Sequence, residues 1–135
     1  MKLTQTVAYG VRALVRLAER GESAPVSCNV LAQQGKMPER FLLQVLRDLA
    51  KQGILSSTRG GGGGFTLARP PEEISLLDIV EAVEGPMKAV LPLKASFPQP
   101  AGERLHQILC KINEEGRREL QATSLCDLMV KAKRG

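Results

Sequence analysis

Apolar residues at Val7, Ala8, Val11, Leu14, Val15 and Ala18 recur at three- and four-residue spacing, so TQTVAYGVRALVRLAERG reads as an amphipathic helix. Thr4 is its expected N-cap and Gly21 its stop. After a loop at ESAPV (22–26), Ser27 is expected to cap a two-turn helix running through Gln34, with Gly35 in the left-handed position just past it. Pro38, which lacks an N–H, and Glu39, an acid suited to the positive end of the dipole, open the next helix. The pattern puts Phe41, Leu42, Val45, Leu46 and Leu49 on one face of that helix, and Gly53 ends it. Two helices joined by a short glycine-containing turn make a helix-turn-helix unit.

Beyond Gly53 the helical period is lost. ILSST (54–58) and FTLAR (65–69) are β-favouring runs on either side of five consecutive glycines, which predicts a hairpin. RPPEE is a connector whose prolines stop the second strand. SLLDIVEAVEG opens with a capping box, Ser75 with Asp78, and carries Leu76, Leu77, Ile79, Val80 and Val83 on a broad apolar face ending at Gly85. Residues 86–102 hold four prolines and no periodicity, a loop longer than most connections. ERLHQILCKINEEGRREL then shows one stripe, Leu105, Ile108, Leu109, Ile112 and Leu120, interrupted by Gly116. A second capping box, Ser124 with Asp127, starts a short helix of Leu125, Leu128 and Met129. The expected fold is mainly α with a small β-hairpin.

Composition narrows this picture. The chain has 135 residues, enough for one domain with an appended element, and 43% apolar content suits a folded chain. Aromatics are limited to Tyr9, Phe41, Phe65 and Phe97, so Leu, Val, Ile and Ala must build the core. Residues 1–70 hold ten Lys/Arg against four Asp/Glu, a net of +6; residues 71–135 hold nine against ten, a net of −1. A basic first half suggests contact with a polyanion, although charge alone leaves a solvated basic surface equally open. Arg12 and Arg16 break the first apolar run at helical spacing, unlike a signal peptide, and no stretch approaches the roughly 18 apolar residues of a membrane span. Cys28, Cys110 and Cys126 are far apart and odd in number, which fits a reduced, cytoplasmic chain. Cys110 and Cys126 as a redox pair is the alternative to plain packing.

Catalysis finds little support. His106 has no acid–base partner at a recognisable spacing, and no G-x-S-x-G, H-E-x-x-H or Walker-A pattern occurs. The glycine run lacks the Lys-Ser/Thr of a phosphate loop and precedes a strand rather than a helix. Cysteine spacing gives no metal site. The chain is therefore expected to be no enzyme and to hold no cofactor.

Nucleic-acid binding draws on several features. The third helix places Arg40, Leu43, Gln44, Arg47 and Lys51 opposite its apolar stripe, and a groove-reading helix needs such donors and cations. Gln44 can bond an adenine edge, and an exposed Leu43 can meet a thymine methyl; a solvated charged face is the plain alternative. A hairpin directly after that helix is a wing. Arg59 at its mouth can enter a minor groove or hold a phosphate, and Gly60 and Gly61 let the backbone lie close to DNA.

MKLTQTVAYGVRALVRLA, MPERFLLQVLRDLAKQGIL, SLLDIVEAVEG and above all SSTRGGGGGFTLAR resemble the Rrf family of bacterial winged-helix regulators, the IscR-, NsrR- and CymR-like proteins, which usually carry SVRGPGGGY-L in the wing. The match covers about two-thirds of the chain; the last 50 residues match only in layout. The resemblance implies a homodimeric transcriptional repressor reading a palindromic operator. Its winged helix-turn-helix domain spans 1–85, a proline-rich loop 86–102, and a dimerisation helix with a short returning helix 103–135. By carry-over, Glu39, Arg40, Phe41, Leu43 and Gln44 are DNA-contact candidates, with Arg59 for the wing; Phe41 has a core position as its alternative. Leu105, Ile108, Leu109, Ile112 and Leu120 become the dimer stripe, with more apolar surface than one small domain requires. Leu43 stands where some members have glutamate, and Gly61 where proline is usual, which implies a looser wing tip. Members that bind a cluster carry three cysteines in the loop before the long helix. Residues 86–104 contain none, Ala8 supplies no acid, and His106 stands alone, so a branch without an iron–sulfur cluster is expected. The effector stays open between a small molecule near 86–102 and a protein. A winged helix turned protein-interaction module is the alternative function.

Overall fold

A computed structural model describes residues 2–21 and 24–129 of the chain. Helix α1 (Gln5–Arg20) starts where the Thr4 hydroxyl accepts the Val7 N–H and ends at Gly21, whose φ of 71° breaks the helical path. Helix α2 (Cys28–Gly35) is capped by Ser27, which accepts the Val30 N–H, and helix α3 (Glu39–Lys51) follows Pro38. Strands β1 (Leu55–Thr58) and β2 (Gly64–Leu67) pair antiparallel with Leu55 opposite Leu67 and Thr58 opposite Gly64. After a single 3₁₀ turn (Pro71–Glu73) come helix α4 (Leu76–Glu84), a second 3₁₀ turn (Lys94–Ser96), helix α5 (Ala101–Ala122) and helix α6 (Leu125–Leu128).

The core is aliphatic, as the shortage of aromatic residues demands. Leu14 of α1, Leu31 of α2, Leu42, Val45, Leu46 and Leu49 of α3 and Ile79 of α4 are all fully buried. Each large aliphatic side chain so buried contributes about 1.5–3 kcal/mol relative to exposure. Phe65 brings β2 into this core, and Val26 pairs with it through two backbone bonds of 3.0 and 2.8 Å. The segment read as a loop before α2 thus makes one isolated antiparallel bridge to the wing; its residues 22 and 23 lie outside the described residues. Both capping boxes form: Ser75 with Asp78 and Ser124 with Asp127 exchange side-chain and backbone bonds. The segments ahead of those boxes pair with each other, Leu76 N–H to Thr123 O and Leu125 N–H to Ile74 O at 2.8 Å each. That pairing seats α6 against the body, with Leu125 fully buried.

The turn between α2 and α3 differs from expectation. Lys36, with φ 53° and ψ 52°, takes the left-handed position assigned to Gly35, and Gly35 is the last, buried residue of α2. The reason is packing. A Cβ on Gly35 would meet the flexible end of the Met37 side chain, Cε at 2.5 Å, so Met37 packs into the space that the glycine leaves where the chain folds back on itself. Arg12 and Arg16 reach across from α1 to donate to the carbonyls of Gly35 and Gln34, the latter at 2.9 Å. Two cations on the negative end of α2 satisfy carbonyls that the helix leaves open. The loop before α5 is also shorter than expected, because the helix starts at Ala101 and runs through Gly116 without a break.

Candidate nucleic-acid interface

Helix α3 is amphipathic, with Leu42, Val45, Leu46 and Leu49 buried and Arg40, Gln44, Arg47 and Lys51 exposed on the opposite side. Two expectations for this helix need correcting. Phe41 does not join the apolar face: it sits at the edge of the stripe, one residue ahead of Leu42, and is 61% exposed. Leu43 is not free on the exposed face. It lies at the other edge, half-buried against the core, because the packed arc is wide enough to reach it. The exposed apolar group in the first turn of α3 is therefore Phe41.

Glu39 stands in the first turn of α3, where its charge favours the helix dipole. Asn29 of α2 donates to Glu39 Oε1 at 3.4 Å, and the Cys28 thiol lies 3.6 Å from the Glu39 carbonyl oxygen. These contacts tie the start of α2 to the start of α3. Burial, then the nearby Glu39 carboxylate, pushes the Cys28 thiol up, against an opposing pull from Arg47. Cys28 is buried and neutral, a packing residue rather than a nucleophile. One turn further along, Gln44 Nε2 donates to Asp48 Oδ1 at 3.1 Å.

The wing follows α3 after only three residues and is bonded to its end, Ile54 N–H to Leu49 O and Ala68 N–H to Ile54 O at 3.0 Å each. Arg59 is exposed where β1 enters the tip, and a Gly63 N–H to Gly60 O bond of 2.9 Å closes that tip as a tight turn. The glycines are not equivalent. Gly64, at φ 151°, presses against the backbone of Val26, whose carbonyl a Cβ would strike, whereas Gly61 and Gly62 face open space. Among the described residues, Arg40, Arg47, Lys51 and Arg59 form no ion pair, while Arg69, Lys94 and Arg117 are each matched to a carboxylate. Other cations, Arg20, Lys88, Lys111 and Arg118 among them, are likewise unpaired, so what suits a polyanion is the placement of Arg40, Arg47, Lys51 and Arg59 on one helix and the hairpin directly after it.

Helix α5 divides its apolar residues. Leu105, Ile108 and Ile112 are exposed, whereas Leu109 and Leu120 are half-buried toward the body, along the edge marked by Gly102, Asn113 and Arg117. Arg117 holds Glu81 of α4, and Asn113 donates to Met87 O at 3.4 Å. A cleft of about 550 Å³ lies elsewhere, between the end of α1 and β2, lined by Leu17, Ala18, Phe65, Leu67, Pro70 and Pro71 among others. The roles of Arg12, Arg16, Asn29 and Asp48 were not apparent in sequence. Only the i, i+4 spacing of Gln44 and Asp48 offered a signal.

Comparison with known proteins gives one family. Residues 3–131 match the model of the Rrf2 family, described as an iron-dependent transcriptional regulator. Protein rrf2 of Nitratidesulfovibrio vulgaris is 34% identical over 134 residues, covering 96% of this chain and 87% of its own. The structure of CymR, the global cysteine regulator of B. subtilis, superposes with a TM-score of 0.77 at 29% identity, covering 95% of both chains. T. potens IscR gives 0.73 at 29% identity, over 95% of this chain and 85% of its own. Iron dependence in the family calls for ligand donors. Cys110 Sγ lies 3.4 Å from His106 Nε2 on α5, but Cys28 is buried on α2 and Cys126 is on α6. Among the described residues no three of His, Cys, Asp and Glu converge, so this donor set does not fit a cluster that takes four ligands. Nor is any described helix long and apolar enough to cross a membrane.

Proposed function

The chain belongs to the Rrf2 family of helix-turn-helix transcriptional regulators, and on that premise we propose that it is a repressor that binds a palindromic DNA operator as a homodimer and works without an iron–sulfur cluster. The observation that carries this reading is the set of unneutralised cations on α3 and the wing, flanking Phe41 and Gln44. A helix with this arrangement offers Arg40 and Gln44 to base edges, while Arg47, Lys51 and Arg59 take phosphates or a minor groove. Glu39 has a cytosine amino group as its natural partner, and the backbone at Gly60 and Gly61 can approach the duplex closely. In this division residues 1–85 read DNA, 86–102 connect, and 103–135 pair two copies.

Pairing rests on Leu105, Ile108 and Ile112, an aliphatic ridge left in water on one side of α5. Leu109 and Leu120 support it from the body side. Two α5 helices packed along this ridge relate two reading helices by a two-fold, which matches a palindromic site. The donor set supports the cluster-free state. An effector, small molecule or protein, then acts through other contacts.

The test is a gel shift with the purified chain and its own promoter region, titrated with salt. Affinity should fall steeply as salt rises, in proportion to the phosphates contacted. Binding that is absent, or flat against salt, overturns the reading. Visible absorbance with stoichiometric iron in protein purified without oxygen overturns its cluster-free part alone.

A further inference from the structure

We infer that Asp48 is a positioning residue that fixes which way round Gln44 presents its amide, and so makes the operator base under Gln44 an adenine. This rests on the proposed reading of α3 as the helix that enters the major groove.

The two side chains lie one turn apart on α3, and Gln44 Nε2 donates to Asp48 Oδ1 at 3.1 Å. An ionised carboxylate only accepts hydrogen bonds, whereas a glutamine amide donates from one end and accepts at the other. The carboxylate therefore selects one of the two amide orientations, with the nitrogen toward Asp48 and the oxygen away from it. One N–H is used by Asp48. The second N–H and both lone pairs of Oε1 remain, which is the donor–acceptor fork that adenine N7 and N6 require. Gln44 is exposed and would otherwise sample several rotamers and both amide flips, all of which must be given up on binding. Asp48 is half-buried at the edge of the packed face, which leaves its side chain less room to move than that of exposed Gln44. Its own charge disfavours phosphate, so a role in selecting the base suits it better than a role in general affinity.

Selection from a randomised duplex library with the native chain defines the operator, and gel shifts then compare each base at the most Gln44-dependent position. In Asp48→Ala the preference for adenine there should fall by about three- to tenfold, while affinity for a scrambled duplex stays equal or rises. Asp48→Asn should lose preference as well, because an amide partner accepts either flip. Asp48→Glu, which keeps the carboxylate, should retain most of it. On a Gln44→Ala background Asp48→Ala should have no further effect on that preference. Unchanged preference in either Asp48→Ala or Asp48→Asn overturns the inference while leaving DNA binding intact. A native chain that selects no duplex overturns the functional reading beneath it.

Discussion

Helices α3 and α5 have the same kind of amphipathic pattern and opposite fates. The 13 residues of α3 bury four large aliphatic side chains in the core of the body. The 22 residues of α5 bury only Gly102, and leave Ile108 54% and Ile112 59% exposed. An apolar stripe gains free energy when it is removed from water, so this ridge is the surface of α5 best suited to a partner. The body is complete within one chain. The long helix leaves its outer ridge uncovered within one chain, and under the proposed pairing a second copy of the same ridge covers it.

The sharpest way to break this comparison is to disrupt each stripe in turn. Ile112→Asp should turn a dimer into a monomer in sedimentation, costing roughly 2–4 kcal/mol of association per substituted side chain, with the melting of the body nearly unchanged. Leu46→Ala should do the reverse: a loss of about 2–5 kcal/mol in folding stability from the cavity left behind α3, with the pairing surface untouched. If Ile112→Asp melts the body and leaves its size in solution unchanged, α5 packs on its own domain and the contrast disappears.

The next largest effect lies within the glycine tract. Gly64→Ala forces a Cβ into the Val26 backbone at φ 151°, and should cost about 2 kcal/mol or more in denaturant melts. Gly61→Ala meets nothing and should stay within about 0.5 kcal/mol of the native chain. Equal losses at both positions would mean that the tip, not the Val26–Phe65 pairing, holds the wing. Arg59→Ala should leave stability alone and weaken operator binding by roughly 1–3 kcal/mol, with the salt slope reduced by about one. Unchanged affinity and slope would remove the wing from the interface.

What was legible beforehand follows the range of the interaction that decides it. Thr4, Ser27, Ser75 and Ser124 cap their helices as expected, because a cap is settled by residues two or three positions away. The hairpin and the wing signature were legible for the same reason. The left-handed position fell on Lys36 rather than Gly35, at a helix end where Met37 folds back and Arg12 and Arg16 arrive from α1, long-range contacts that no local pattern encodes. Phe41 and Leu43 flank the stripe at its two edges. Periodicity locates the centre of an apolar face, but its width depends on what packs against it, and here the arc covers Leu43 and spares Phe41. On α5, the spacing gave a single stripe where the body divides it, taking Leu109 and Leu120 and leaving Leu105, Ile108 and Ile112.

The smallest effect tests the joint between the two regions. Glu81 of α4 accepts the Met87 N–H at 2.8 Å and the Arg117 guanidinium from α5. The Met87 hydrogen bond first, and then Arg117, hold the Glu81 carboxyl below its usual value, against burial and the Asp78 charge. A carboxyl with a lowered folded value stabilises the fold above its unfolded value, about pH 4.3, and loses that contribution as pH falls through the lowered one. Glu81→Gln should therefore melt below the native chain at pH 7, and the gap should close on acidification below about pH 4. Among the described residues the body core contains no buried charge, so the closing gap reports on the seam rather than on the core. A gap constant from pH 7 to about pH 3 would mean that Glu81 acts by shape alone. The α4–α5 joint would then be held by packing, as the body is, and the difference between the two regions would be confined to the outer ridge of α5.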